Sequence, residues 1–163
     1  MTTATTSALY LERTFAAPPD QVFAAWTDPE LLKRWWGPHG FSTPAADVDL
    51  RAGGCFRIAM KPPQGDVYHL TGAFREVERP QRLVYTWVWD GKFRDGSEMR
   101  MPETLVTVEF RACDHGTQVA LTHDGFPDQE RRDGHEQGWS GCLDRLGDVV
   151  GGGDVEMRPP RPS

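Results

Sequence analysis

The sequence predicts an α+β fold in which a curved antiparallel sheet of about seven strands wraps around one long C-terminal helix, with two short helices after the first strand. Three observations lead there. Apolar and polar residues alternate for about 80 residues after Phe41, the mark of strands with one buried face. Turn residues separate these runs, which makes the strands an antiparallel meander. Near the C-terminus Trp139, Cys142, Leu143, Leu146, Val149 and Val150 recur at helical spacing, and this stripe supplies the cover that a one-sided sheet needs.

The first strand begins at Leu9, where Leu9, Leu11, Arg13 and Phe15 alternate with Tyr10, Glu12 and Thr14. Pro18-Pro19-Asp20 stops it, and Asp20 can cap a short helix over about 20–27 with Val22, Phe23 and Trp26 on one side. Asp28-Pro29 is a second cap-and-proline start, for a helix whose apolar side is Leu31, Leu32, Trp35 and Trp36 and which ends at Gly37-Pro38-His39-Gly40. Strands follow around Val48 and Leu50, Phe56 to Met60, Tyr68 to Val77, Leu83 to Trp89, Thr104 to Phe110, and Val119 to His123. Gly53-Gly54, Pro62 to Asp66, Arg79-Pro80, Asp90-Gly91 and Asp114-His115-Gly116 provide the turns. The last helix runs over about 129–150, roughly 33 Å at 1.5 Å per residue, long enough to cross a sheet. Gly138, Gly141 and Gly147 each cost it up to about 1 kcal/mol relative to alanine. Packing must therefore hold this helix, and the glycines permit close approach to sheet or ligand. Gly151-Gly152-Gly153 ends it. One domain over 8–150, with flexible tails at 1–7 and 151–163, accounts for the chain. A bent sheet gripping one helix leaves room at its wide end, where the helix pair would close a cavity.

Composition narrows the functional classes. The chain has 163 residues, with 24 Asp and Glu against 18 Lys and Arg, for a net charge of −6. That balance argues against nucleic acid or an anionic membrane as partner. Three cysteines, Cys55, Cys113 and Cys142, show neither CxxC spacing nor an even count, so neither a disulfide framework nor a zinc site is indicated. No apolar run approaches the roughly 18 residues of a membrane span, and the start MTTATTSALY lacks the pattern of a signal peptide. A cytoplasmic protein is the expectation. No GxSxG, HExxH, P-loop or dinucleotide fingerprint occurs, so no catalytic residue, metal ligand or cofactor is assigned.

The runs RTFAAPPDQVFAAWTDPELLKRWWGPHGF, GGCFRIAM, GAFREVERPQRLVYTWVW, VALTHDGF and GHEQGWSGCLDRL, in this order, resemble the homologues of the activator of the 90-kDa heat-shock-protein ATPase. The resemblance covers about 8–150. It implies the helix-grip (START/SRPBCC-like) fold, shared with lipid-transfer domains, plant pathogenesis-related proteins and polyketide aromatase/cyclases, and a hydrophobic cavity under the long helix. The eponymous co-chaperone carries this kind of domain behind a separate chaperone-binding domain, of which no counterpart is expected in the seven residues ahead of this one. Stand-alone bacterial members resemble ligand-binding or stress-related proteins. Related domains pair edge to edge or through the sheet, so a homodimer is a candidate assembly.

The candidate cavity residues follow from position. Trp35, Trp36, His39 and Phe41 gather aromatic surface where the helix pair meets the sheet, as lid core or as a mouth that stacks on a flat ligand. Tyr85, Trp87 and Trp89 share one strand face, and Phe56, Ile58 and Met60 share another; facing inward, both wall the cavity. The opposite parity, Val84, Thr86 and Val88, would turn the indoles outward. His123 falls on the apolar parity, pointing at the long helix either as a satisfied core histidine or as a ligand anchor or general base. Trp139 and Leu143 complete the set from the helix. His135 is placed to pair with Asp128 or Asp133 at the surface, and Tyr68, Asp66, Glu98 and Arg100 flank the sheet's end as rim or solvated turn residues. The leading function is binding of a hydrophobic, lipid- or polyketide-like small molecule. The competing classes are a cyclase, dehydratase or hydrolase using a cavity His or Tyr, and a co-chaperone-like interaction module.

Overall fold

The computed structural model describes residues 8–37, 40–63, 67–90, 103–114 and 116–150. Of the residues singled out above, His39, Asp66, Glu98, Arg100 and the two tails lie outside the described residues, as do Pro38, Gly65, Gly91 and His115 of the turns. The elements are β1 (Leu9–Phe15), α1 (Pro19–Thr27), α2 (Pro29–Leu32), β2 (Ser42–Val48), β3 (Cys55–Lys61), β4 (Tyr68–Glu78), β5 (Arg82–Asp90), β6 (Thr104–Cys113), β7 (Gly116–Asp124) and α3 (Gln129–Val149). Seven strands form one sheet in the order β1-β7-β6-β5-β4-β3-β2, with every neighbouring pair antiparallel. Successive strands from β2 to β7 are thus neighbours, and β1 closes on the last of them. The sheet curls as a half-barrel around α3, which is the helix-grip fold.

The alternation read from the sequence decides which face the sheet turns inward. Phe56, Ile58 and Met60 of β3, Leu70 and Phe74 of β4, Leu83, Tyr85 and Trp87 of β5, and Val106, Val108 and Phe110 of β6 are buried in one core with Trp139, Cys142, Leu143 and Leu146 of α3. On β5 the parity carrying the indoles therefore faces the helix. Gly72 interrupts the inward row of β4 because Phe56 occupies its space. A Cβ there would lie 2.6 Å from the Phe56 ring and 2.0 Å from the Thr86 carbonyl oxygen.

Local signals differ from the sequence reading at two places. The Ncap of α1 is Pro18, which gives no side-chain cap, and Asp20 instead stands in the first turn, where its charge meets the helix dipole. The second helix stops at Leu32, one turn short of Trp35 and Trp36, although Asp28 caps its start by accepting from the Glu30 amide at 2.9 Å. Gly37, at φ +93°, bends the chain sharply just beyond. The carbonyls of this bend are held from the other side of the core. Arg145 of α3 donates from Nη1 to Trp36 O at 3.2 Å, Gly37 O at 2.9 Å and Phe41 O at 3.2 Å, and from Nη2 to Arg34 O at 3.3 Å. One guanidinium thus fastens the segment after α2 to the helix that the sheet grips. At the other edge, Arg13 of β1 meets Asp144 at 2.7 Å.

Two substitutions measure these constraints. Gly72→Ala overpacks the inward face and should lower stability by about 1–3 kcal/mol or more, read as a reduced urea midpoint. Arg145→Met keeps most of the apolar stem but removes the charged donor from the carbonyls, and should cost about 2–3 kcal/mol by the same measurement. Unchanged midpoints in both would show that neither contact matters.

Candidate functional site

All six tryptophans of the chain meet in one aromatic network. Trp26 of α1 touches Trp35 at a ring-centroid distance of 4.9 Å and stacks on Trp139 at 6.0 Å. Trp35 touches Trp36 at 5.2 Å, and Trp36 touches Trp87 at 5.9 Å and Trp139 at 5.5 Å. Trp87 reaches Trp139 at 5.2 Å and Trp89 at 5.4 Å. These separations fall in the range where aromatic pairs gain about 0.5–1.5 kcal/mol beyond their buried area.

On one side of this network lies a cavity of about 340 Å³. Trp36, Trp87, Trp89 and Trp139 line it together with Met60, Tyr68 and Cys142, and the first turns of α3 bound it through Glu130, Arg131, Gly134, His135 and Gly138. Gly134 and Gly138 stand four residues apart on α3, so the helix withholds two side chains from the cavity. A second void, of about 20 Å³, lies among Trp26, Phe56, Ile58, Phe74 and Tyr85.

The sequence-derived candidates separate accordingly. Trp36, Met60, Trp87, Trp89 and Trp139 line the cavity of about 340 Å³. Phe56, Ile58 and Tyr85 face the packed void, and Tyr85 accepts a hydrogen bond from Trp26 Nε1 at 3.2 Å. Trp35 is fully buried and donates from Nε1 to Ala25 O at 2.9 Å, while Leu143 is core and Phe41 is half-buried against it. Tyr68, Gly134, His135 and Gly138 are additions to the wall. The helical spacing of Gly134 and Gly138 was visible in the sequence, but empty space on a helix face leaves no residue signature.

His123 lies behind the cavity wall, fully buried, with its ring 4.8 Å from Trp87 and 4.4 Å from Phe126. Trp139 Nε1–H donates to its Nδ1 at 3.1 Å. An indole nitrogen can only donate, so Nδ1 is the bare nitrogen and Nε2–H is left to donate to Thr104 Oγ1 at 2.7 Å. Burial, with the nearby His135 adding to it, pushes the His123 pKa down to about 2. Both nitrogens are engaged, and the ring links sheet to helix as a satisfied core histidine. His135 follows the same logic one step outward. Trp89 Nε1–H donates to its Nε2 at 3.1 Å, which leaves Nδ1–H for Arg131 O at 2.7 Å. The expected surface pairing of His135 with Asp128 or Asp133 is replaced by these bonds. Asp128 instead caps α3, accepting from the Arg131 amide at 2.8 Å.

Burial shifts three more groups of the wall toward their neutral forms. Burial raises the Tyr68 phenol and the Cys142 thiol each to about 12, and lowers the His135 pKa. Among the described residues no group of three His, Cys, Asp or Glu side chains is placed to hold a metal ion. Also among them, no helix is long and apolar enough to cross a membrane.

The neutral His123 predicts acid sensitivity with a definite sign. Its folded pKa of about 2 lies below the ordinary value of 6.5, so the unfolded chain takes up a proton that the folded chain refuses. Its contribution is complete above pH 6.5 and drains as pH falls through that value, by up to about 1.4 kcal/mol per pH unit. Urea unfolding between pH 7.5 and 5 should show this slope, and His123→Gln should flatten it. An equal slope in the variant would exclude His123 as its source.

The comparisons with known proteins agree with this geometry. A sequence model of the family described as "Activator of Hsp90 ATPase homolog 1-like protein" matches residues 16–151. Protein CV1439 from Chromobacterium violaceum is 26% identical, with a TM-score of 0.77 over 88% of this chain and 96% of that one. The AHSA1 protein from Silicibacter pomeroyi is 32% identical, with a TM-score of 0.75 over 87% of this chain and 96% of its own. The AHSA1-like protein from Aeromonas hydrophila, solved in solution, is 27% identical, with a TM-score of 0.68 over 94% of each chain. No curated protein matches the chain. With the order of elements, the gripped helix and the match over 16–151 in agreement, this chain belongs to the family of Activator of Hsp90 ATPase homolog 1-like proteins, on the SRPBCC helix-grip fold.

Proposed function

We propose that the protein binds a hydrophobic small molecule in the cavity between the sheet and the first half of α3. The observation that carries this reading is the cavity of about 340 Å³, walled by four indoles, Met60 and Tyr68, and left open by Gly134 and Gly138. Its volume falls within the range of about 300–1,000 Å³ in which small-molecule sites are found, and its wall is mostly apolar, as such sites are. The fold supports the reading, because SRPBCC domains commonly take hydrophobic ligands.

Binding is favoured over catalysis by the state of the polar groups. Tyr68 and Cys142 keep their protons at neutral pH, and both ring nitrogens of His135 are engaged by Trp89 and Arg131. None of the three is poised to exchange a proton near pH 7. They offer polarity for orientation without an acid or base.

The test fills the cavity from its open side. N-phenyl-1-naphthylamine, an apolar fluorescent probe, should bind saturably and quench the indoles. At Gly134 a Cβ meets nothing within 4 Å, so Gly134→Ala should fold and gain up to about 1 kcal/mol of stability. Gly134→Leu should project into the space and weaken probe binding by about tenfold or more. Absence of saturable binding, or equal affinity in a folded Gly134→Leu variant, would remove the cavity as the site.

A further inference from the structure

Building on that binding reading, we propose that the cavity selects planar aromatic molecules bearing a hydrogen-bond acceptor, and that the indole N–H of Trp87 is the group that receives the acceptor. The inference begins with a donor inventory. Trp26 Nε1 is bonded to the Tyr85 hydroxyl, Trp35 Nε1 to Ala25 O, Trp89 Nε1 to His135 and Trp139 Nε1 to His123. Trp87 is 5% exposed, and its Nε1 is buried with no hydrogen-bond partner among the described residues. A buried donor left unpaired is costly, and native interiors seldom tolerate one without cause.

The surroundings explain why the protein does not supply the partner itself. The histidine rings beside Trp87 are His123 at 4.8 Å and His135 at 5.9 Å. Each has one bare nitrogen, and each is already taken by another indole: Nδ1 of His123 by Trp139 and Nε2 of His135 by Trp89. Of the other groups on the wall, the oxygens of Tyr68 and Glu130 make no hydrogen bond to this nitrogen, and the sulfurs of Met60 and Cys142 accept only weakly. Two histidine acceptors thus serve three neighbouring indole donors, Trp87, Trp89 and Trp139, and the donor left over belongs to a residue that lines the cavity.

The shape of the ligand follows from the same residues. The wall of Trp36, Trp87, Trp89 and Trp139 offers ring faces and edges at centroid separations of 5.2 to 5.9 Å, to which a flat aromatic molecule is the best-matched apolar partner. An aromatic ketone combines that shape with an acceptor carbonyl. A saturated lipid chain has neither.

Two tricyclic probes of nearly the same outline isolate the acceptor: 9-fluorenone carries a carbonyl where fluorene carries a methylene. Titration of the intact protein should show 9-fluorenone binding about tenfold more tightly than fluorene. Trp87→Phe keeps an aromatic wall without the donor and should bring the two affinities together. In the unsubstituted protein, the Trp87 indole proton resonance should move downfield with 9-fluorenone and stay in place with fluorene, a readout that does not depend on the variant folding. Equal affinities with an unmoved resonance would overturn the proposal, as would a ketone preference that survives in Trp87→Phe. If N-phenyl-1-naphthylamine binds but neither tricycle does, the aromatic-acceptor proposal fails alone. If none of the three binds, the binding reading fails with it.

Discussion

The bond from Trp139 Nε1–H to His123 Nδ1 is the constraint on which the centre of the molecule depends. It joins the gripped helix to the strand at the middle of one half of the sheet, and it fixes three properties together. The imidazole must be neutral, its proton must sit on Nε2, and Trp139 must keep its indole edge turned toward β7. Trp139 in turn packs against Trp26, Trp36 and Trp87, so the helix pair, the bend after α2 and β5 are all positioned against one ring. The second clamp, Arg145 on the carbonyls of Arg34, Trp36, Gly37 and Phe41, holds the bend in place to receive those contacts.

Much of this was legible in the sequence because it rests on periodicity. The inward row of β3 and β5 follows from a period of two, and the buried stripe of α3 from a period of 3.6; both signals belong to single segments. The end of α2 was not legible in that way. Trp35 and Trp36 fit the helical stripe that Leu31 and Leu32 begin, but Gly37 and a guanidinium more than a hundred residues away favour a turn. The same limit explains His123. Parity placed it toward the helix, while its role depended on which donor the helix would present, and Trp139 is sixteen residues farther along the chain.

The cavity wall shows a third kind of limit. Trp36, Trp87, Trp89 and Trp139 are conspicuous as residues, and sequence position alone was enough to group them. Phe56, Ile58 and Tyr85 are equally apolar and share the same inward faces, yet they close on one another around a void of about 20 Å³. What separates filled space from empty space is the size of the opposing side chain. Against Phe56 the opposing elements bring Phe74 and Tyr85; against Trp87 and Trp89, α3 brings, beside the contact of Trp139 with Trp87, two glycines and a histidine turned to the sheet.

Gly134 and Gly138 carry one more implication. Each omitted side chain enlarges the cavity, and each also releases backbone freedom that alanine would have restricted, at up to about 1 kcal/mol per position. Vacancy and pliability therefore arise from the same two atoms that are missing. The half of α3 bordering the cavity is held by Trp89 and His135 at its surface and by Trp139 at its root. The wall that the two glycines leave open is therefore also a stretch of backbone with low intrinsic helix propensity.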